Sequence, residues 1–212
     1  MIMAYTTIAK VRLLSGLTSS DINDSDLTDL LTYAQMLLNH DIQVERKERI
    51  LFISIEKQNK VDGNNTTYYT KHTPLGDRDD DGDVDASDLY VYTIDSTGTR
   101  ATVTVSTVDD VYNGKFTVSA AVASTKQLYV EYYSSPVRMD TPHAMVALAA
   151  GQLCAALAFT KIEPGEISQY RVGKIAVTKT TPSFTKFLKD YQQTIHRITS
   201  GAVKREDFTY NV

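Results

Sequence analysis

Cysteine is nearly absent from this chain. A single thiol, Cys154, excludes a disulfide framework, and its Ala-rich surroundings read as those of a small buried hydrophobe. Tryptophan is missing, and five Pro and ten Gly in 212 residues exclude collagen-like and Pro/Gly-rich low-complexity chains. Met1 to Lys10 lacks the apolar run of a signal peptide. The longest apolar run, Ala144 to Phe159, is interrupted by Gly151 and Gln152 and is expected to fall short of a membrane span. A strong charge of one sign is also missing. The net charge is −4, yet seven Asp lie within residues 77–88, and the rest of the chain has 21 basic and 19 acidic residues. That balance excludes the basic excess of a dedicated DNA reader. With 42% hydrophobic and 23% charged residues, a soluble protein of one or two domains, made in a cytoplasm, is expected.

Catalytic signatures are missing too. No nucleophile elbow, phosphate loop, zinc spacing or dinucleotide fingerprint occurs. His40, His72, His143 and His196 fall in four different segments, and Gly173-Lys174 lacks the upstream glycines of a phosphate loop. A non-enzymatic protein is expected.

What the chain does have is the stretch Asp77 to Asp88. Asp77, Asp79 and Asp81 alternate, Gly82 follows, Val84 stands at the eighth place and Asp88 closes the twelfth. Calcium loops of the EF-hand kind use this spacing, with carboxylates at places 1, 3, 5 and 12 and a backbone carbonyl at place 7. A hard cation needs six to eight oxygens, so the chain must wrap tightly, and the glycine permits the turn. The expected Ca2+ ligands are Asp77, Asp79, Asp81, Asp83 through its carbonyl, Asp85 through a water, and Asp88. The plainer reading is a solvated acidic turn, but so many carboxylates repel one another unless a cation neutralises them. Asp88 stands where Glu is usual, and a strand-like Thr66 to Thr70 precedes the loop in place of a helix. The loop therefore looks like the single loops of dockerin type, a structural calcium site and not a sensor.

Around the loop the periodicity changes twice. Thr6 or Thr7 caps a predicted helix through Leu14, stopped by Gly16. Leu27, Leu30, Leu31, Ala34, Leu37 and Leu38 mark a second helix to about His40. Strand-type runs follow at Ile50–Ile55, Thr66–Lys71, Leu89–Ile94, Arg100–Val105, Lys115–Ala120 and Gln127–Tyr133, an antiparallel module of six strands. Its tyrosines are expected to pack across strands. Thr141-Pro142 restarts helix into an Ala-rich segment to about Ile162, Tyr170–Val177 reads as a short extended segment or loop, and Thr181-Pro182 opens a last helix. That helix carries Phe184, Phe187, Leu188, Tyr191, Ile195 and Ile198 on one stripe. The fold class is α+β: a helical core of about four helices from residues 1–48 and 136–200, an inserted β domain over 49–135, and an extended tail, 201–212. Alternating Phe208, Tyr210 and Val212 suit that tail to strand addition onto another chain.

The opening Thr7-Ile8-Ala9-Lys10-Val11-Arg12-Leu13-Leu14-Ser15-Gly16-Leu17, the Asp21-Ile22 turn and the leucine helix resemble the start of tailed-phage head–tail adaptor proteins, also called head-completion or connector proteins. The Ala-rich helix, the segment Tyr170-Arg171-Val172-Gly173-Lys174-Ile175-Ala176-Val177 and the aromatic last helix are similar to the family's later half. The β module with its loop departs from the small helical adaptors. The resemblance implies a structural virion protein without catalytic activity. It implies a homo-oligomeric ring, typically a dodecamer, beneath the portal protein, extending the channel for double-stranded DNA and docking the next neck or tail protein, with no membrane. Alternatives are another neck or tail-completion protein, such as a stopper, and a dockerin-like calcium-dependent binding module of an extracellular assembly.

Overall fold

Side chains that alternate or recur every third and fourth place need partners, and the chain satisfies them in two compact units. In a computed structural model of the full chain, residues 5–51, 53–138, 143–162, 169–172, 175–178 and 182–200 are described. One unit is built on Gln43–Thr141 and the other on Met3–Ile42 with Pro142–Val212. The described residues of one hold the four-stranded and three-stranded antiparallel sheets, and those of the other hold four α-helices with a two-stranded sheet, an α+β fold.

The helical unit begins with α1 (Ile8–Ser15). Thr7 is its N-cap, its hydroxyl accepting from the Lys10 amide at 3.3 Å, and Gly16 closes it at φ 75°, a left-handed conformation that glycine tolerates best. α2 (Asp24–Ile42) is capped by Asn23, whose Oδ1 accepts from the Asp26 amide at 2.8 Å. It buries Leu27, Leu31, Ala34 and Leu38, and adds the polar Gln35 and Asn39 to the buried face. The Asn39 Oδ1 accepts from Tyr5 Oη at 2.6 Å. α3 (Ala144–Ile162) packs against α1, α2 and α4. The Thr141-Pro142 start expected for it lies outside the described residues. Contrary to the sequence expectation, α3 is long and apolar enough to cross a membrane by length and composition. Most of its side chains are buried within the unit, Val146, Ala149 through Ala156 and Ala158 among them, although Leu148 is exposed, and small residues let three helices approach it. α4 (Pro182–Thr199) buries Phe184, Phe187, Leu188, Tyr191 and Ile198, with Phe187 stacked on Phe159 at 5.7 Å. Tyr191 donates to Asp41 Oδ2 at 2.7 Å. The stretch expected as a short extended segment or loop contains two strands paired antiparallel, Gln169–Val172 and Ile175–Thr178.

The other unit contains seven strands among its described residues: β1 (Val44–Arg49), β2 (Thr67–Tyr69), β3 (Tyr90–Ile94), β4 (Arg100–Val103), β5 (Val105–Asp110), β6 (Lys115–Val118) and β7 (Gln127–Ser134). They form two antiparallel sheets, ordered β1-β7-β3-β4 and β2-β6-β5. Two strand expectations need correction. Among the described residues of 50–55 there is no strand; the charged Val44–Arg49 is one, pairing with β7 from Val44↔Ser134 to Arg49↔Tyr129. An outer strand with much of its surface in water tolerates charge, so it shows no apolar run. Ile50 is buried and its amide reaches Leu128 O at 2.8 Å. The single strand expected over Arg100–Val105 divides at Thr104, and β4 and β5 belong to different sheets. The tyrosines do pack across strands: Tyr92 stacks on Tyr129 directly opposite it at 5.4 Å, and the Arg100 guanidinium lies 3.5 Å over Tyr92.

Candidate metal centre

The acidic loop is fixed at both ends by main chain. At its entrance the Leu75 amide donates to Val111 O at 3.0 Å and the Gly76 amide to Tyr133 O at 2.8 Å. A Cβ on Gly76 would displace the end of the Gln43 side chain and lie 3.1 Å from Tyr133 Cβ, so the chain passes close to its neighbours here. At its exit a short 3-10 turn (Ala86–Asp88) leads through buried Leu89 into β3 and packs against β5.

Inside the loop, Gly82 at φ 88° makes the sharp turn, and its amide donates to Asp77 Oδ2 at 2.9 Å. Asp79 Oδ1 accepts from the Asp81 amide at 3.4 Å and Asp81 Oδ1 from the Asp83 amide at 2.9 Å. Through this folding Asp77, Asp79 and Asp81 each bring a carboxylate oxygen within 4.8 Å of the others, Asp77 buried and the other two exposed. Calcium–oxygen bonds of about 2.3–2.6 Å allow ligand oxygens up to about 5 Å apart, so the trio suits one cation of that size. Val84 is buried, a hydrophobic anchor on the far side of the turn.

The remaining expected ligands, Asp83, Asp85 and Asp88, also accept hydrogen bonds from within the loop. Asp83 Oδ1 accepts from the next amide, Val84, at 2.8 Å. Asp85 caps the 3-10 turn, its Oδ1 accepting from the Ser87 amide at 2.7 Å and the Ser87 hydroxyl at 2.8 Å. The same hydroxyl donates to Asp79 Oδ2 at 2.6 Å. Asp88 is buried and gathers the loop: Oδ1 accepts from the amides of Arg78 and Asp79, and Oδ2 from that of Asp85 at 2.7 Å. Asp88 is therefore a clasp between loop start and loop end, and its carboxylate stands outside the trio. That role was not readable from spacing, because it depends on the 3-10 turn.

Electrostatics favour a cation here. Burial, with Asp80 and Asp81 nearby, pushes the Asp77 carboxyl up to about 6. Burial, with Asp79 and Asp77 nearby, pushes Asp88 up to about 7. A bound divalent ion would reverse both shifts. The pH dependence follows. Against an ordinary Asp near 3.9, the calcium-free native state binds more protons than the unfolded one, so stability falls as pH rises from about 4 to about 7. Saturating calcium removes that slope, and its own stabilising increment shrinks as pH drops through 7 and 6 because protons compete for the same oxygens. Melting curves across this range, in chelator and in calcium, measure both slopes; Asp88→Asn should flatten the first.

No family model matches this chain, and no curated protein sequence matches it. Among solved structures, the chain is similar to a chain from "Neck of empty GTA particle computed with C6 symmetry", at 10% identity and a TM-score of 0.32, covering 90% of this chain and 91% of that one.

Proposed function

We propose that this protein is a structural component of the neck of a tailed-phage-like particle. In this reading it is a head–tail adaptor that assembles as a ring, of about twelve copies, under the portal protein. The ring extends the channel through which double-stranded DNA passes, without sequence-specific contacts, and presents a platform to the next neck or tail component. The protein is made in the host cytoplasm, ends in the virion, and its role is architectural and not catalytic. The observation that carries the reading is where the adaptor-like segments go. The opening stretch and the later Ala-rich, Tyr170–Val177 and aromatic segments lie at opposite ends of the sequence, yet they fold into one four-helix unit. The intervening Gln43–Thr141 forms a unit of its own.

In the same reading the loop holds a structural Ca2+ ion. Asp77, Asp79 and Asp81 supply carboxylates to it, and Asp88 keeps the loop closed around them. The ion neutralises the crowded carboxylates and fixes the turn; every other feature of the unit is the chain's own.

Electron microscopy of the full chain mixed with its portal ring tests the neck reading. A second ring of protein stacked on the portal is expected. A protein that stays monomeric and never contacts the portal overturns it.

A further inference from the structure

The first two helices of the helical unit carry large apolar side chains in water. α1 and α2 both pack against α3. At about 100° per residue, the side of α1 opposite its buried Val11 carries Lys10 and Leu13, with Leu14 at its border. The side of α2 opposite its buried Leu27, Leu31 and Leu38 carries Asp29, Tyr33 and Met36. Leu13 is 87% exposed, and Tyr33 and Met36 are 44% and 45% exposed. Single exposed hydrophobics are ordinary, but here two adjacent leucines and a Tyr–Met pair one turn apart form two patches, one on each helix.

Each patch has one charge at the same place. Lys10 stands one turn before Leu14, and Asp29 one turn before Tyr33. Both are exposed, and neither has an ion-pair partner among the described residues. A closed ring needs two different, complementary patches on each copy.

We propose that α1 of one copy packs along α2 of the next, Leu13 and Leu14 against Tyr33 and Met36, with Lys10 beside Asp29. The inference rests on the ring reading above. Charge sets the direction. With the two helices running parallel, Lys10 meets Asp29 while the leucines meet Tyr33, because each step of one turn spans about 6 Å of helix axis. Antiparallel, the same apolar contact carries Lys10 toward Met36 and His40 and leaves Asp29 without a cation. The apolar side chains supply affinity by leaving water, and the charge pair at their rim selects the register.

The test uses the full chain, on the portal ring and alone at rising concentration. Under mild oxidation a mixture of Leu13→Cys and Tyr33→Cys should give a disulfide-linked dimer that neither variant gives alone, since native Cys154 is buried. Lys10→Asp and Asp29→Lys should each weaken assembly several-fold, and the two in one chain should restore it. Leu13→Ser with Tyr33→Ser, both at exposed positions, should keep the circular dichroism of the parent and lose assembly. Assembly of that double variant as good as that of the parent, with no link in the mixture, overturns the helix pairing and leaves the neck reading standing. Rings of it that form alone but no longer stack on the portal would give these faces to the portal, and overturn the pairing too. A parent chain that never assembles on the portal overturns both readings.

Discussion

Saturating calcium should raise the thermal midpoint of the full chain by roughly 5–10 °C. The estimate starts from linkage: an ion that binds only the native state stabilises it by about 2.7 kcal/mol at a hundredfold excess over Kd. A chain of this length converts each kcal/mol into about 2–4 °C. The gain has a physical source in the loop, where seven carboxylates share twelve residues and two of them, Asp77 and Asp88, are buried. In chelator those two hold protons or repel their neighbours, and the ion replaces both costs with attraction. Hydrogen exchange should slow over 75–90 and in β3 and β5, which adjoin the loop, and much less in α1 to α4. The variant Asp77→Ala with Asp81→Ala removes two of the three gathered carboxylates and should lose the calcium shift altogether. Titration calorimetry showing no heat of calcium binding by the parent, or full binding by the double variant, would end the metal assignment. Magnesium serves as the control, because its near-octahedral demand at about 2.0–2.1 Å suits a flexible carboxylate loop poorly.

How far the sequence reveals this molecule depends on whether the deciding contact is local. Thr7 and Gly16 announce α1 because a cap hydroxyl and a left-handed glycine act within one turn. The leucines of α2 and the aromatics of α4 announce their buried faces because the stripe is periodic. Strand identity was less legible. Val44–Arg49 becomes a strand through its pairing with β7, from Val44↔Ser134 to Arg49↔Tyr129 and so far away in the sequence, and nothing in five charged residues out of six foretells that. Ile50 still reaches Leu128 O with its amide, but none of the described residues that follow it up to Ile55 joins a ladder, and propensity without pairing does not make a strand. The break at Thr104 is equally silent, since Thr-Val alternation runs through it unchanged while the chain leaves one sheet for the other. At the acidic loop, spacing told which carboxylates the turn could gather, because Gly82 and the alternating Asp act over five residues. It did not tell that Asp88 would spend both oxygens on the amides of Arg78, Asp79 and Asp85.

Phe116→Ala should cost on the order of 3–5 kcal/mol, the largest loss expected from one side chain in the β unit. Phe116 lies in β6, the middle strand of its sheet, opposite Tyr68 on one side and Val108 on the other. Both aromatic side chains are fully buried, with ring centroids 6.0 Å apart. Truncation removes the buried ring, leaves a cavity that two neighbouring strands hold open, and forfeits an aromatic pair worth about 0.5–1.5 kcal/mol. Urea unfolding should show a lower midpoint at an unchanged slope, the mark of lost stability without altered compactness. Tyr68→Phe separates packing from polarity. It keeps the ring pair and deletes only the hydroxyl that donates to Asn65 O at 2.8 Å, so about 1 kcal/mol is expected. A Phe116→Ala loss as small as that would mean the sheet closes over the cavity. The two large effects can then be combined: if calcium adds the same increment to Phe116→Ala as to the parent, the ion and the sheet core contribute independently. A smaller increment would mean that the loop takes its shape from the β5 strand that Phe116 holds in register, and that the metal site is as much a property of the sheet as of the twelve residues that name it.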